Sequence, residues 1–417
     1  MARVKMQKLK ASKMAQQAID RVALLIEMFG PRLVGDEATD RTSDSLHEEL
    51  SSSCDSVYKE QFEVHPDAFL GWIRLMVLSY PVAVVMLWLS QPYLSLILLC
   101  GGIGIMVTEF FSYRETIDRF YPKKTGTNIY GVIEPQEEVL QTVIYSGHHD
   151  SAKVFSLFVN NRQTYLPKVI SALLSYAFLT LLSLIETFRQ LFQGTFFSFG
   201  SVPAVILVLY ILGTAATYAV SLLWFFEGKE GSPGAGDNLI ASSIGVELAS
   251  YFRQKRMQGE ALKHTRVIIA SFDGEEAGLR GSRDFFSRHI DDLCSGKTYH
   301  FNVDCLYDRS HMTFLTSDQN NRVPLSQQMA TDCVNIAKSM GYEAKSRKIA
   351  FLTGATDAAE SAKRGIEATT LIAMPWNNSE RSEVYHTPDD TVEQIDEVAV
   401  EQTVSIAIRF IERLDTD

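Results

Sequence analysis

The sequence has 417 residues, of which 46% are apolar, and this is enough material for one large globular core or two smaller ones. The formal net charge of -11 repels phosphate, so the composition argues against a nucleic-acid partner. The five cysteines are odd in number and form no CxxC pair, which argues against a disulfide framework and against a cysteine zinc site.

The first thirty residues predict a helix and no signal peptide. Basic residues between Arg3 and Lys13 are followed by apolar residues at helical spacing between Ile19 and Phe29. A signal peptide requires an unbroken apolar segment and a cleavage site, and neither is present in this stretch.

Two long apolar regions then interrupt the chain. The first has no charged residue from Leu75 to Thr108 and is divided by a turn signal at Gln91-Pro92. The second is uncharged from Val169 to Ile185 and again from Gln190 to Phe226, where Gly200 to Phe226 makes the better span. Segments of this length and composition predict four membrane-spanning helices in two hairpins, which makes the lipid bilayer an expected partner.

The hairpins divide the chain into a soluble domain in three segments, residues 1–68, 113–165 and 227–417, and two insertions, residues 69–112 and 166–226. Each hairpin returns the chain to the side that it left, so the three segments can form one domain. Two other interpretations stay open: some apolar runs are buried core helices, or the first hairpin only re-enters the membrane. The basic residues that flank the hairpins on the domain side predict a cytoplasmic domain, because the far-side turns carry only Arg189; the flanking residues are Arg74, Arg114, Arg119, Lys123, Lys124, Arg162, Lys168 and Lys229.

Outside the hairpins, short β-branched runs alternate with helical periodicity, which predicts an α/β fold with a parallel sheet. The predicted strands are Thr142–Ser146, Arg266–Phe272, Tyr299–Val303 and Thr369–Met374, and the clearest helices are Ala241–Arg256 and Val392–Leu414.

Three of these strands run directly into acidic or imidazole side chains, namely His148-His149-Asp150, Asp273-Gly-Glu275-Glu276 and Asp304. The carboxyl ends of parallel strands meet at one edge of a sheet, where ligands bind. Carboxylates collected there are costly to desolvate unless a cation shares them, so the pattern favours a metal centre.

Each residue also has a simpler interpretation. His148 can be a hydrogen-bonded histidine at a strand end, and Asp150 and Asp237 can cap helices. Glu275-Glu276 can be a solvated helix start, and His386-Thr-Pro can be an exposed turn.

Five motifs together resemble the M28 peptidases, metal-dependent exopeptidases typified by aminopeptidases with two co-catalytic zinc ions. An early segment, Phe29-Gly-Pro-Arg32-Leu-Val-Gly35, is similar to the N-terminal segment of the same family. The five motifs are Ser146-Gly-His148-His149-Asp150, Pro233-Gly-Ala-Gly-Asp237-Asn238, Phe272-Asp-Gly-Glu275-Glu276, Asn302-Val-Asp304 and Tyr385-His386-Thr-Pro-Asp389-Asp390-Thr391.

The resemblance implies a three-layer α/β/α sandwich with a mostly parallel mixed central sheet, and a peptide substrate. It implies that His148, Asp237 and Asp304 hold one zinc ion, and that Asp237, Glu276 and His386 hold the other.

Two further roles follow from the resemblance. Asp150 is expected to fix the tautomer of His148, and Glu275 is expected to act as the general base. His149 has no expected role beyond packing. The family usually follows the bridging aspartate with a Ser-Gly pair that lets a helix approach the sheet, whereas here Asp237-Asn238 is followed by Leu239.

The leading hypothesis is a membrane-anchored aminopeptidase, including action on hydrophobic peptides that partition to the bilayer. Three alternatives stay open: glutaminyl-cyclase chemistry, which uses a similar fold with one zinc ion, hydrolysis of a non-peptide amide, and a non-catalytic membrane scaffold. The sequence does not indicate an oligomeric state.

Overall fold

The computed structural model of the protein describes residues 2–194, 202–350, 352–375 and 383–416. The chain forms two compact units, each assembled from separated segments. The sheet unit comprises Met1–Pro66, Pro122–Lys153 and Glu230–Asp417, and the helical unit comprises Asp67–Tyr121 and Val154–Lys229.

The helices are α1 (Ala2–Phe29), α2 (Glu37–Ser51), α3 (Gly71–Trp88), α4 (Pro92–Met106), α5 (Ser156–Asn160), α6 (Tyr165–Gln193), α7 (Ala204–Ser221), α8 (Ile240–Met257), α9 (Arg280–Leu293), α10 (Gln327–Ser339), α11 (Ala358–Ala362) and α12 (Glu397–Thr416). The strands are β1 (Ser56–Val64), β2 (Lys124–Ile133), β3 (Gln141–His148), β4 (Thr265–Phe272), β5 (Lys297–Leu306), β6 (Met312–Asp318), β7 (Val323–Pro324), β8 (Lys345–Lys348) and β9 (Glu367–Ala373).

The sheet unit is built on one mixed sheet with the strand order β1-β2-β4-β3-β5-β9-β6-β7, and β8 pairs with β6. The central strands β4, β3, β5 and β9 are parallel, whereas β1, β2 and the β6–β9 pair are antiparallel. Both faces of the sheet are covered. The predicted α/β/α sandwich with a mixed sheet is therefore confirmed, and its central strands are the parallel ones.

Alternation along β3 shows why the sheet has two covered faces. Val143 and Tyr145 lie in the core that includes residues of α1, α8 and α12, whereas Ile144 lies in the core with Phe285 and Phe286 of α9. Side chains of a strand alternate between its faces, so a strand that is apolar at consecutive positions must be buried on both.

Helix α8 packs closely on the sheet without the Ser-Gly pair that the resemblance leads one to expect. A Cβ atom added to Gly147 on β3 would lie 2.4 Å from the Cβ of Ala241, and one added to Gly245 on α8 would lie 2.7 Å from the Cγ2 of Ile269. Two glycines, one on the strand and one on the helix, therefore permit the approach that brings the start of α8 to the end of β3.

The last helix begins later than the periodicity predicts. The pattern from Val392 predicts a helix, but α12 begins at Glu397. The side chain of Asp396 accepts hydrogen bonds from the backbone N–H groups of Val398 (2.9 Å) and Ala399 (3.3 Å). An aspartate that satisfies these first N–H groups acts as the N-cap, so the helix starts after it.

The helical unit is a bundle of α3, α4, α6 and α7 around an apolar core that includes Tyr80, Tyr176 and Leu179. Hydrogen bonds also connect the two hairpins. The hydroxyl groups of Ser95 and Ser183 lie 2.8 Å apart, and the Tyr80 hydroxyl donates to the carbonyl of Gly213 at 3.1 Å. Polar contacts of this kind between apolar helices hold them in one arrangement.

The outer surface of the helical unit is apolar. Ile97, Leu174 and Val205 are 67%, 65% and 70% exposed. The predicted beginning of the last span at Gly200 lies outside the described residues. Within the described part of the chain, four helical stretches are long and apolar enough to cross a bilayer, namely Gly71–Trp88, Pro92–Phe111, Arg162–Gln193 and Ala204–Phe225.

Candidate metal centre

Adjacent parallel strands deliver three of the predicted site segments to one edge of the sheet. β3 lies between β4 and β5, and its last residue, His148, pairs with Phe272 at the end of β4. Glu275 and Glu276 follow β4 directly, and Asp304 lies near the end of β5. The carboxyl ends of these strands therefore meet where the sequence predicts a ligand site.

Two loops complete the cluster. Asp237 lies just before α8, and His386 lies in the loop that leads to α12. The backbone of His386 is left-handed with a φ of 55°, a conformation that residues other than glycine rarely adopt. The ring of Tyr385 stacks on its imidazole with centroids 3.8 Å apart, which limits the orientation of the ring. The structure thus brings all five predicted metal ligands together.

Asp237 lies between the two histidines. Its Oδ1 is 3.4 Å from His148 Nε2, and its Oδ2 is 3.1 Å from His386 Nε2. The remaining carboxylates divide between these histidines, since Glu276 Oε1 is 3.2 Å from His386 Nε2 and Asp304 Oδ1 is 3.8 Å from His148 Nε2. Among the five predicted ligands, each histidine therefore shares Asp237 and has one further carboxylate near it.

The neighbouring glutamates face different histidines. Glu275 Oε2 lies 3.8 Å from His148 Nε2, whereas Glu276 contacts His386. Ligand atoms of His148, Glu275 and Asp304 lie within 4.8 Å of one another, as do those of His148, Asp237 and Glu276. Both glutamates are therefore close enough to bind an ion. Glu275 lies on the His148 side of the cluster, and Glu276 lies on the His386 side.

Asp150 orders both halves of this arrangement. Its carboxylate accepts hydrogen bonds from the backbone N–H groups of Glu275 (3.2 Å) and Glu276 (3.1 Å). Its Oδ1 also lies 3.3 Å from His148 Nδ1, and its backbone carbonyl lies 3.1 Å from the same nitrogen. A partner on Nδ1 leaves Nε2 free to act as a ligand, because the position of the ring proton follows from that hydrogen bond.

The cluster is short of positive charge. Burial alone would lower the pKa of each histidine, but the carboxylates that surround them outweigh burial. The pKa of His148 is raised well above its usual range, with Glu275 the strongest of these carboxylates, and the pKa of His386 is raised to about 9, with Glu276 the strongest. Burial raises the pKa of Glu275 well above its usual range, although His148 opposes it. Carboxylates crowded in a low-dielectric site need protons or a cation to share.

The donor set fits a metal ion. Within the described residues, His148 Nε2, Asp237 Oδ2 and Glu276 Oε1 are buried atoms that form no hydrogen bond of good geometry, although they lie close to one another in the cluster. Orphaned buried atoms of this kind are rare in proteins and require an explanation, such as an ion. Imidazole nitrogens combined with carboxylate oxygens are ligands that zinc accepts.

Two buried carboxylates without a predicted role lie close to the cluster, Asp390 and Asp357. Asp390 accepts hydrogen bonds from the backbone N–H groups of Gly236 (2.9 Å) and Asp237 (3.3 Å), and burial together with Asp237 raises its pKa to about 7. Asp357 is buried just before α11, and its charge contributes to the raised pKa of Glu275. Asp390 belongs to the fifth motif, so the sequence contains a signal for its importance. Asp357 belongs to none of the five motifs, and the sequence pattern does not point to it.

His149 is buried and takes part in packing. Its Nδ1 lies 2.8 Å from the hydroxyl of Ser271, and that hydroxyl lies 2.7 Å from Ser242 of α8. Burial lowers its pKa to about 3, so the ring is neutral at physiological pH.

Two comparisons concern the sequence. Residues 219–411 match the model of peptidase family M28. The chain is 26% identical over 181 residues to aminopeptidase YwaD of Bacillus subtilis, an alignment that covers 41% of this chain and 35% of that protein. The chain therefore spans about a third of the length of this curated relative. Asp237, Glu275, Glu276, Asp304 and His386 lie within the family match, whereas His148 and Asp150 precede it.

Solved structures share the fold over nearly the whole chain. A Zn-dependent exopeptidase from Parabacteroides distasonis aligns with a TM-score of 0.55 at 14% identity, covering 95% of this chain and 97% of that one. A glutaminyl cyclase from Porphyromonas gingivalis aligns with a TM-score of 0.55 at 15% identity, covering 96% of this chain and 98% of that one. Residues 219–411 are therefore similar to peptidase family M28, and the solved structures show that the chain shares the fold of zinc-dependent exopeptidases.

Proposed function

We propose that the protein is a zinc-dependent aminopeptidase whose centre holds two zinc ions. The observation that carries this proposal is the position of Asp237, which directs one carboxylate oxygen to His148 and the other to His386. A carboxylate shared in this way is suited to bridge two cations. His148 and Asp304 would complete one site, and Glu276 and His386 would complete the other.

Two zinc ions in these sites would polarise a scissile carbonyl and supply an activated water. The residues of the chain then have separate tasks. Asp150 holds His148 and the Glu275-Glu276 backbone in register, and Asp390 holds the backbone at Asp237. Glu275 takes the proton of the water and passes it to the leaving amine, a role that suits a buried carboxylate with a raised pKa.

Glutaminyl cyclisation is the second candidate, since a glutaminyl cyclase is among the structures with this fold. The complete set of five ligands favours the hydrolase. His148 and Asp304 lie on the far side of Asp237 from His386, where one zinc ion at His386 would leave them without a cation.

A substrate panel tests the assignment. We expect the detergent-purified protein to release the first residue from peptides and aminoacyl amides with a free N-terminus, and to leave N-acetylated versions intact. The reaction should require zinc and stop after chelation. Peptides that begin with glutamine serve as the internal comparison. If they yield a cyclic product and no free amino acid, the enzyme is a cyclase and the aminopeptidase assignment is wrong. Cleavage of N-acetylated amides at a similar rate would replace it by an amidohydrolase.

We also propose that the helical unit is embedded in a membrane and that the sheet unit is cytoplasmic. Two observations support insertion: the four candidate spans and the exposed apolar side chains on their outer faces. The basic residues that flank the spans support the orientation.

Thiol labelling in cells tests this topology. Cys294 of the sheet unit and Cys100 on α4 are both exposed in the structure. With a membrane-impermeant maleimide, we expect Cys294 to react only after the plasma membrane is permeabilised without detergent, and Cys100 to remain unreactive until detergent removes the lipid. Cys100→Ser and Cys294→Ser variants assign each signal. Labelling of Cys294 in intact cells would reverse the orientation, and early labelling of Cys100 would exclude α4 from the bilayer.

A further inference from the structure

The side chain of Arg32 is fully buried next to the candidate metal centre. Its guanidinium group donates hydrogen bonds to backbone carbonyls of three segments of the chain. Nε donates to the carbonyl of His149 (2.8 Å), and Nη2 donates to the carbonyl of Gly234 (2.8 Å). Nη1 donates to Gly30 (3.0 Å) and to Pro233 (2.9 Å). One side chain therefore joins the loop that follows His148 to the loop that leads to Asp237.

These two loops are the two sides of a break in the sheet unit. The chain leaves the unit after Lys153 and returns at Glu230. Next to the break the two sides are paired, because Lys153 forms a β-bridge with Gly231 and the N–H of Ser232 donates to the carbonyl of Ala152 at 2.8 Å. Arg32 lies on the side of this pairing that is nearer to the metal ligands.

The packing around Arg32 leaves little room for adjustment. The N–H of Arg32 donates to the hydroxyl of Ser151 at 2.8 Å, and the N–H of Ser151 donates to the carbonyl of Arg32 at 2.9 Å. A Cβ atom added to Gly234 would lie 2.6 Å from the Cβ of Ser151 and 2.8 Å from Nη2 of Arg32, and Gly234 has a left-handed φ of 62°. Both loops are consequently held against the guanidinium at van der Waals distance.

Arg32 also carries a buried positive charge close to two carboxylates of the site. Burial lowers the pKa of Arg32 to about 10, so the side chain still carries its positive charge at neutral pH. Asp390 and Asp150 are the carboxylates that favour this charged form. These are the same carboxylates that accept hydrogen bonds from the backbone N–H groups of Asp237 and of Glu275 and Glu276.

We infer that Arg32 is a positioning residue of the metal centre: it fixes the separation of His148 and Asp237 across the break in the sheet unit. The inference rests on the proposed zinc function. Arg32 is not a ligand, and it acts through the two loops whose carbonyls it binds. A planar group with five donors can bind carbonyls of three segments at once, which a lysine ammonium cannot reproduce.

Zinc affinity of the full-length, detergent-purified protein tests the inference, measured by competition with a chromogenic chelator. We expect Arg32→Met, which removes every side-chain donor, to weaken zinc binding about 10- to 100-fold, the range that applies to residues that orient metal ligands. Arg32→Lys keeps the charge and should recover part of the lost affinity.

Arg21 supplies the matched control. It is largely buried, lies in the same N-terminal region and binds Glu49 and Glu247 on helices away from the metal loops. Arg21→Met should lower the thermal stability of the zinc-free protein about as much as Arg32→Met does, but leave zinc affinity unchanged. If Arg32 had only a structural role, Arg32→Met and Arg21→Met would have similar thermal stabilities and similar zinc affinities.

The outcomes are separable. Zinc affinity of Arg32→Met within twofold of that of Arg21→Met would overturn the inference. If Arg32→Met does not fold, the same comparison is made with Arg32→Lys, and wild-type affinity in that variant overturns the inference. If the wild-type protein binds no zinc, the proposed function fails first and the inference fails with it, whereas tight wild-type binding without a change in the Arg32 variants refutes the inference alone.

Discussion

Replacement of Glu275 by glutamine is expected to lower kcat about 10²- to 10⁴-fold while the zinc content remains that of the wild type. Glutamine retains the shape of the side chain but cannot take a proton from water. Glu275 lies on the His148 side of the cluster, 3.8 Å from Nε2, and its pKa is raised by burial. The measurements are initial rates on an aminoacyl amide and zinc content by atomic absorption.

Glu276→Gln is the matched control, because the two glutamates are consecutive and both receive backbone support from Asp150. Glu276 contacts His386 at 3.2 Å, so its replacement should lower the zinc content. Loss of zinc in Glu275→Gln together with full zinc in Glu276→Gln would exchange the proposed roles. A Glu275→Gln enzyme of wild-type rate would remove Glu275 from the mechanism.

Replacement of Asp237 by asparagine is expected to have the largest effect on metal content, with both zinc ions lost and activity reduced to background. An amide carries no negative charge. In Asp237 one carboxylate oxygen lies near His148 and the other near His386, whereas asparagine would place an NH₂ group at one of these two positions. The contribution of metal-ion charge stabilisation to the transition state is several kcal/mol, and each 1.36 kcal/mol corresponds to a tenfold change in rate. Zinc content and kcat/KM are measured on the same preparation.

Asp304→Asn provides the comparison for Asp237→Asn. Asp304 Oδ1 lies 3.8 Å from His148 Nε2, at the site proposed for one ion, so its replacement should affect that ion and leave the other bound. Retention of two ions by Asp237→Asn would contradict a bridging role. Loss of both ions from Asp304→Asn as well would indicate that the ions bind only together.

The two sets of variants separate the chemistry from the assembly of the site. Glu275 is proposed to move a proton, whereas Asp237 and Asp304 are proposed to hold cations. Asp150 serves both tasks at once, because it accepts from the two glutamate N–H groups and faces His148 Nδ1. A fully buried carboxylate with these partners holds the strand ends in register.

Much of the fold follows from local patterns. The apolar, β-branched runs around Val143, Ile268 and Val303 predict buried strands, and these residues lie in β3, β4 and β5. The uncharged runs predict the long apolar helices, because an unbroken apolar stretch has no polar face to expose to water. Helix α12 shows the limit of such patterns, since the cap formed by Asp396 sets its start and the periodicity alone does not.

The sequence by itself determined the chemistry of the strand ends. His148, Glu275, Glu276 and Asp304 follow predicted parallel strands, and the carboxyl ends of parallel strands necessarily meet at one edge. Asp237 and His386 stand on loops whose paths no periodicity describes. Their membership of the site was inferred from motif resemblance, and only the fold places them between and beside the other ligands.

The tertiary structure alone decided how the proposed ligands are held. Arg32 and Asp390 act on backbone groups of segments far from them in the chain, and a backbone carbonyl or N–H leaves no trace in the residue pattern. The side of the cluster that each glutamate faces depends on the path of one loop, which Asp150 sets from a different strand. Side-chain type thus specifies which groups can bind a cation, whereas long-range backbone contacts specify where those groups stand.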